Sequence, residues 1–174
     1  MSTNMERLLT LQERDLRILR LKREGRDIPA RKAEIETRLK SHQQAFDDAT
    51  HNLKTHKTTI QKVEGDIEAL NQKILKFREQ QLQVKDNTAY KTLEKEIFST
   101  RQEIRTVEDR ELVLMEEMEI LKSTIAEKEQ SLKGELAIVK ENTARLDKRA
   151  QDIELEIKQL ESDRADLTKD IDKP

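Results

Sequence analysis

Three histidines and one tyrosine are the side chains in this 174-residue sequence best placed for chemistry beyond packing: His42, His51, His56 and Tyr90, the last with Lys85, Lys91 and Lys95 around it. Imidazole titrates near neutral pH and ligates zinc. A zinc site needs further donors at short range, and no HExxH-like pattern accompanies the three histidines. The chain has no cysteine, so it offers no disulfide, thiol nucleophile or thiolate metal site. No Ser/His/Asp grouping or glycine-rich phosphate loop stands out, and 36 acidic residues make neighbouring carboxylates expected by chance. No catalytic, metal-binding or cofactor-binding residue is expected, and no cofactor. Tyr90 carries two compatible readings. Its ring can plug a chain reversal against Leu82 or Val84. Beside three lysines it can instead anchor a protein partner or stack on nucleic acid.

The elements that must position these residues follow from composition and periodicity. The sequence is 40% charged and 2% aromatic, with three glycines and two prolines, which suits a long helix or a disordered polyampholyte rather than a thick-cored domain. Periodic apolar residues decide for helix. From Ile35, Leu39, His42 and Phe46 a register of alternating fours and threes runs to Phe77, as a left-handed coiled coil requires. It stops at Asp86-Asn87-Thr88, a run of turn and cap formers, with Asn87 the first choice of N-cap and Thr88 the alternative. The register restarts at Leu93 and Ile97 and reaches Leu132. It slips by two successive fours through Leu136, next to Gly134, and resumes from Val139 to Ile171. Upstream, Leu8, Leu11, Ile18 and Leu21 make a stripe widened by Leu9, Leu16 and Leu19, with Thr3 or Asn4 as its cap. Such width implies a third packed element or self-association. Gly25 and Pro29 then predict a kink or short loop.

The two registers mirror each other. Positions whose numbers sum to 174 join Phe77 to Ile97, Leu70 to Ile104 and Leu53 to Leu121. A short connection makes antiparallel neighbours the default. The fold class is therefore all-α, a long antiparallel two-helix coiled-coil hairpin kinked near Gly25-Pro29 and with a stutter near Gly134. It is read as one domain over 1–174: a helical segment at 3–24, a first long helix at 29–85, a tip turn at 86–88 and a second long helix at 89–172. His42 and His56 become polar seam positions that set register. Glu111 and Lys128 are expected to snorkel out of the seam. A parallel dimer of continuous helices conflicts with the break at Asp86-Asn87-Thr88. An enzyme is not expected, because two helices enclose no desolvated pocket.

Net charge is −2, so no overall basic charge advertises nucleic acid, but residues 1–34 and 73–105 are mildly basic and 106–174 acidic. No apolar run exceeds four residues, the length of Leu112 to Met115, which excludes a spanning helix or signal core; the chain is expected to be cytoplasmic, with no membrane partner.

The stretch Asp86 to Ile97 resembles the hairpin-tip signature of a bacterial family with an N-terminal coiled-coil hairpin and a C-terminal four-cysteine zinc ribbon. That signature reads approximately Asn-x-x-Tyr-x-x-Leu-x-x-Glu-Ile, matched by Asn87, Tyr90, Leu93, Glu96 and Ile97. Ala89 departs from the acidic residue common before the tyrosine. Leu8 to Asp15 and the Ile28-Pro29 break also resemble the family's N-terminus. The resemblance implies zinc only for a ribbon beyond this chain, which stops at Asp172-Lys173-Pro174, about where the family leaves the coiled coil. It implies partners among the enhancer-dependent alternative sigma factor and flagellar or type III secretion components, and RNA for a full-length form.

The reading is a non-enzymatic protein-interaction adaptor, monomer or weak homodimer. Its expected partner-binding residues are Lys85, Asn87, Tyr90, Lys91, Leu93, Lys95 and Glu96 at the tip. The rivals are a purely structural rod or spacer and a prefoldin-like chaperone, the last requiring strands that the sequence does not suggest.

Overall fold

Lys, Glu, Gln, Arg and Leu, all strong helix formers, fill the sequence between its few breakers. The computed structural model describes residues 2–171, with side chains over 4–169. Two helices, α1 (Ser2–Gln83) and α2 (Asn87–Ile171), are joined by Val84-Lys85-Asp86, giving the expected helical hairpin with no strand among the described residues. Mid-helix threonines are accommodated by bonding back to the preceding turn, as Thr37 Oγ1 does to the Ala33 carbonyl and Thr92 Oγ1 to that of Thr88, both at 2.9 Å.

Several boundaries differ from those expected. α1 begins at Ser2, so Thr3 and Asn4 lie inside the helix rather than capping it. No separate segment ends at 24 and no loop follows: α1 is continuous through Gly25 and Pro29. Proline removes one backbone bond and its ring crowds the carbonyl four residues back, a cost of about 3 kcal/mol. That residue is Gly25, whose backbone gives most easily. Ile28 is buried with Leu21 and Ile153, and burying one isoleucine returns roughly 1.5–3 kcal/mol, which offsets half or more of that cost. The register also runs straight through, as Ile18, Leu21, Gly25, Ile28, Lys32 and Ile35, all buried or half-buried. The first long helix thus ends at Gln83 rather than 85, and the turn is 84–86 rather than 86–88. The expected end of α2 at 172 and the Ile171 side chain lie outside the described residues.

The chain divides into two compact units. The terminal unit, Met1–Gln43 with Ser131–Pro174, has a core of Leu21, Ile28 and Ile153, flanked by Leu146, Ala150, Ile157 and Leu160. Ion pairs cross between its helices: Arg17 with Glu156, Glu24 with Arg149 and Arg38 with Glu135, and also Lys32 with Asp147. The first three pairs sit one residue off the mirror predicted from the sequence. The basic N-terminal stretch is therefore matched by the acidic end of α2. Of the wide N-terminal stripe, Ile18 and Leu21 are buried, while Leu8, Leu9, Leu16 and Leu19 stay exposed. No third element covers them among the described residues.

At the expected slip, the buried residue is Glu135, not Leu136, which is 48% exposed. Glu135 is fastened to Arg38 Nε at 2.8 Å, with His42 Nε2 3.9 Å away. A charged residue thus holds a seam position, and the two successive fours move to Glu135, Val139 and Thr143. Gly134 itself is exposed, with nothing within 4 Å of where a Cβ would stand.

The tip unit, Gln44–Gln130, is an apolar seam. Ile74, Ile97 and Ile104 are buried together, packed by Ile67, Leu70 and Phe77. Every expected seam position of α1 from Ala49 to Phe77 is buried or half-buried. Thr100, 2% exposed, satisfies its hydroxyl on the Glu96 carbonyl at 2.8 Å. His56 Nε2 donates to the Leu114 carbonyl at 2.8 Å and lies 3.4 Å from Glu117, one residue off the predicted mirror. Lys128 is exposed, as a seam lysine that snorkels out should be, and Glu111 remains half-buried.

Candidate interaction surface at the hairpin tip

The reversal at the tip uses no left-handed residue: the described chain has no positive φ. Its three residues therefore need no glycine. The α1 ladder closes with the Val84 amide donating to the Gln80 carbonyl at 3.2 Å. α2 opens on Asp86, whose carboxylate accepts the Thr88 amide at 3.1 Å and whose carbonyl accepts the Tyr90 amide at 3.0 Å. Asp86 is therefore the N-cap, and neither Asn87 nor Thr88. The aspartate wins because its carboxylate reaches the second helical amide and carries the negative charge that a helix start favours.

This cap fixes the helical phase of every candidate residue. Tyr90, 45% exposed, lies over a 300 Å³ cavity lined by Arg78, Gln81, Glu94, Ile97, Phe98 and Arg101. Its carbonyl accepts a long hydrogen bond from Gln81 Nε2, 3.5 Å. Leu93 is half-buried in a different cavity, with Gln80, Gln83, Val84, Ala89 and Thr92. The plug at the chain reversal is thus Leu93 and Ala89 near Val84. Tyr90 lines the other cavity, in which neither Leu82 nor Val84 takes part, and Leu82 is 88% exposed. Leu93 lies three positions after Tyr90, close to a full turn, but the narrow seam between two helices lets residues at that spacing fall on opposite sides.

Lys85, Asn87, Lys91, Lys95 and Glu96 are exposed. None of the three lysines forms an ion pair among the described residues. The candidate residues share the tip but are not brought into one cluster: Tyr90 and Leu93 belong to separate cavities, while the lysines present charge to solvent. Four residues escaped the sequence reading. Arg78, Phe98, Arg101 and Arg105 line the cavities on the Tyr90 side, and Phe98 is 65% exposed. An off-seam aromatic next to Ile97 was the available signal.

The histidines sit apart, His42 in the terminal unit, His56 in the tip unit's seam and His51 exposed. No group of three or more His, Asp or Glu poised to hold a metal exists among the described residues. With no cysteine in the sequence, this chain has no thiolate set for zinc. No helix among the described residues is long and apolar enough to cross a membrane.

Comparison with known proteins agrees with this geometry. Residues 11–174 match the model of a family described as CT398-like coiled coil hairpin domain. The solved structure of CT398 from Chlamydia trachomatis superposes with a TM-score of 0.80 at 21% identity, covering 97% of this chain and 72% of that one. At that identity the likeness concerns the fold alone. No curated protein matches the sequence significantly.

Proposed function

We propose, from the premise that this chain belongs to the CT398-like coiled coil hairpin domain family, that it is a non-enzymatic, cytoplasmic adaptor that binds protein partners through its hairpin tip. The observation that carries this reading is the contrast in charge neutralisation. Several cations of the terminal unit, Arg14, Arg17, Lys22, Lys32 and Arg38, are met by carboxylates across the hairpin. Lys85, Lys91 and Lys95 at the tip are not, and they lie within five residues of a half-exposed Tyr90 in the sequence. Unpaired cations beside an accessible aromatic are the raw material of a protein hot spot. The tip motif's resemblance to the zinc-ribbon hairpin family supports an alternative sigma factor or a secretion or flagellar component as the partner, and nucleic-acid binding for a longer form.

The test is a pull-down of those purified candidates with the parent chain and with Tyr90→Ala/Lys91→Glu, after circular dichroism has shown equal helicity. Capture by the parent that falls roughly tenfold in the variant is the expected result for charge-assisted recognition. Equal capture by both, or none, makes the tip a structural turn and the protein a spacer.

A further inference from the structure

We infer that the Tyr90 side of the tip unit is a docking groove for an acidic amphipathic helix from a partner protein, which would lie along α1 and α2 as a third helix. The inference deepens the adaptor reading and rests on it, but it uses a lateral face rather than the turn.

Two cavities adjoin at Arg78 and Arg101, which line both, and together they form the groove. The first, about 420 Å³, adds Leu75, Arg105 and Glu108; the second adds Tyr90, Glu94 and Phe98. The floor is the buried seam itself, Ile74 and Ile104 in one cavity and Ile97 in the other. Along its walls stand Leu75, 50% exposed, on α1 and Phe98, 65% exposed, on α2. Exposed apolar residues continue in the same phase, Leu82 one heptad beyond Leu75 on α1 and Leu112 two heptads beyond Phe98 on α2, with Arg105 at the heptad between. A two-helix seam has no use for these positions. Apolar residues recurring in heptad phase on both helices of a pair, here with a basic residue set between two of them, are what a third helix packs against.

Charge specifies the occupant. Arg78, Arg101 and Arg105 converge on the groove and form no ion pair among the described residues. Guanidinium groups flanking an apolar strip select carboxylates spaced along an apolar helix face. A polyphosphate backbone is the poorer fit. A nucleic-acid strand would set its phosphates against Leu75 and the apolar seam floor, whereas an amphipathic helix offers them an apolar face of its own.

The probe is a fluorescein-labelled peptide of about 20 residues built on a repeating Leu-Glu-Glu-Leu-Leu-Glu-Glu heptad, followed by anisotropy at low salt against the full chain. Saturable binding is expected, weakened roughly tenfold or more by Arg101→Glu/Arg105→Glu and by Phe98→Ser, and unchanged by Lys62→Glu, an exposed position away from the groove. The lysine version of the peptide should fail on the parent and bind Arg101→Glu/Arg105→Glu, a charge reversal that misfolding cannot produce. Absence of binding overturns the proposal, as do equal binding of the two peptides and displacement of the acidic peptide by oligo(dT) at lower concentration. A chain that ignores the peptide but sediments as a dimer dissolved by Phe98→Ser overturns it in favour of a second copy. Tip-dependent capture that survives any of these results leaves the adaptor reading standing without the groove.

Discussion

Asp86 shows how much one carboxylate settles. It accepts the Thr88 amide and, by its carbonyl, the Tyr90 amide, so the whole phase of α2 is set from it. Asp86→Ala is expected to lower stability by about 1 kcal/mol in thermal unfolding followed by circular dichroism, while Asn87→Ala stays within a few tenths. Glu24 and Arg149 show the other kind of residue effect. Their bonds are bidentate, at 2.6 and 2.8 Å. The Arg149 guanidinium holds the Glu24 carboxyl below its ordinary range, chiefly through this hydrogen bonding and against the opposing effect of desolvation, and Arg149 is raised in turn. A depressed carboxylate contributes stability that is present above its unfolded pKa, ~4.3, and is lost as pH falls through the lower folded value. Parent and Glu24→Gln should therefore differ in melting temperature at pH 7 and converge as the pH drops below about 4. A gap that persists at acid pH would place the effect in packing instead of charge.

The helices carry features that neither propensity nor periodicity predicts alone. α1 survives Pro29 because Ile28 is buried against Ile153 and because the crowded carbonyl belongs to a glycine. α2 survives Gly134 without any comparable compensation, and a Cβ there would meet nothing within 4 Å. Gly134→Ala is thus expected to stabilise by up to about 1 kcal/mol, read as a higher melting temperature, and Gly65→Ala to do the same. Gly25→Ala would bring a methyl to 3.7 Å from Ile153 Cγ2, an ordinary contact, but would stiffen the backbone where the proline needs it to yield. Its gain should be smaller or absent. The order Gly134 above Gly25 is what the measurement checks.

Each of the two units has its own buried cluster, one on Leu21, Ile28 and Ile153 and one on Ile74, Ile97 and Ile104. Stability within such a chain is distributed, and exchange of amide protons reports it locally. Leu21→Ala, at the least exposed side chain of the core, should cost about 2–5 kcal/mol and accelerate exchange mainly within Met1–Gln43 and Ser131–Pro174. Ile104→Ala should act mainly within Gln44–Gln130. Uniform acceleration from either change would mean that the chain opens as one cooperative block.

The heptad spacing from Ile35 to Phe77, its mirror image from Leu93 onward and the polar run at Asp86 were enough to specify two helices, their antiparallel pairing and the approximate register. These are nearest-neighbour consequences of a period of three and a half residues and a short connection. Burial at seam positions agrees with that pattern even at His42, His56 and Thr100. Three things lay outside the pattern. Continuity through Pro29 depended on Ile28 meeting Ile153, a contact from α1 to α2 that no local signal encodes. Glu135 replaced Leu136 in the seam because Arg38 waits across the hairpin, so a charge-assisted bond outweighed apolar preference. The tip residues grouped by sequence separated onto two sides, and Tyr90 joined Arg78, Phe98 and Arg101. Which side chains share a groove depends on the rotation of one helix against the other, and that angle exists only once both have packed.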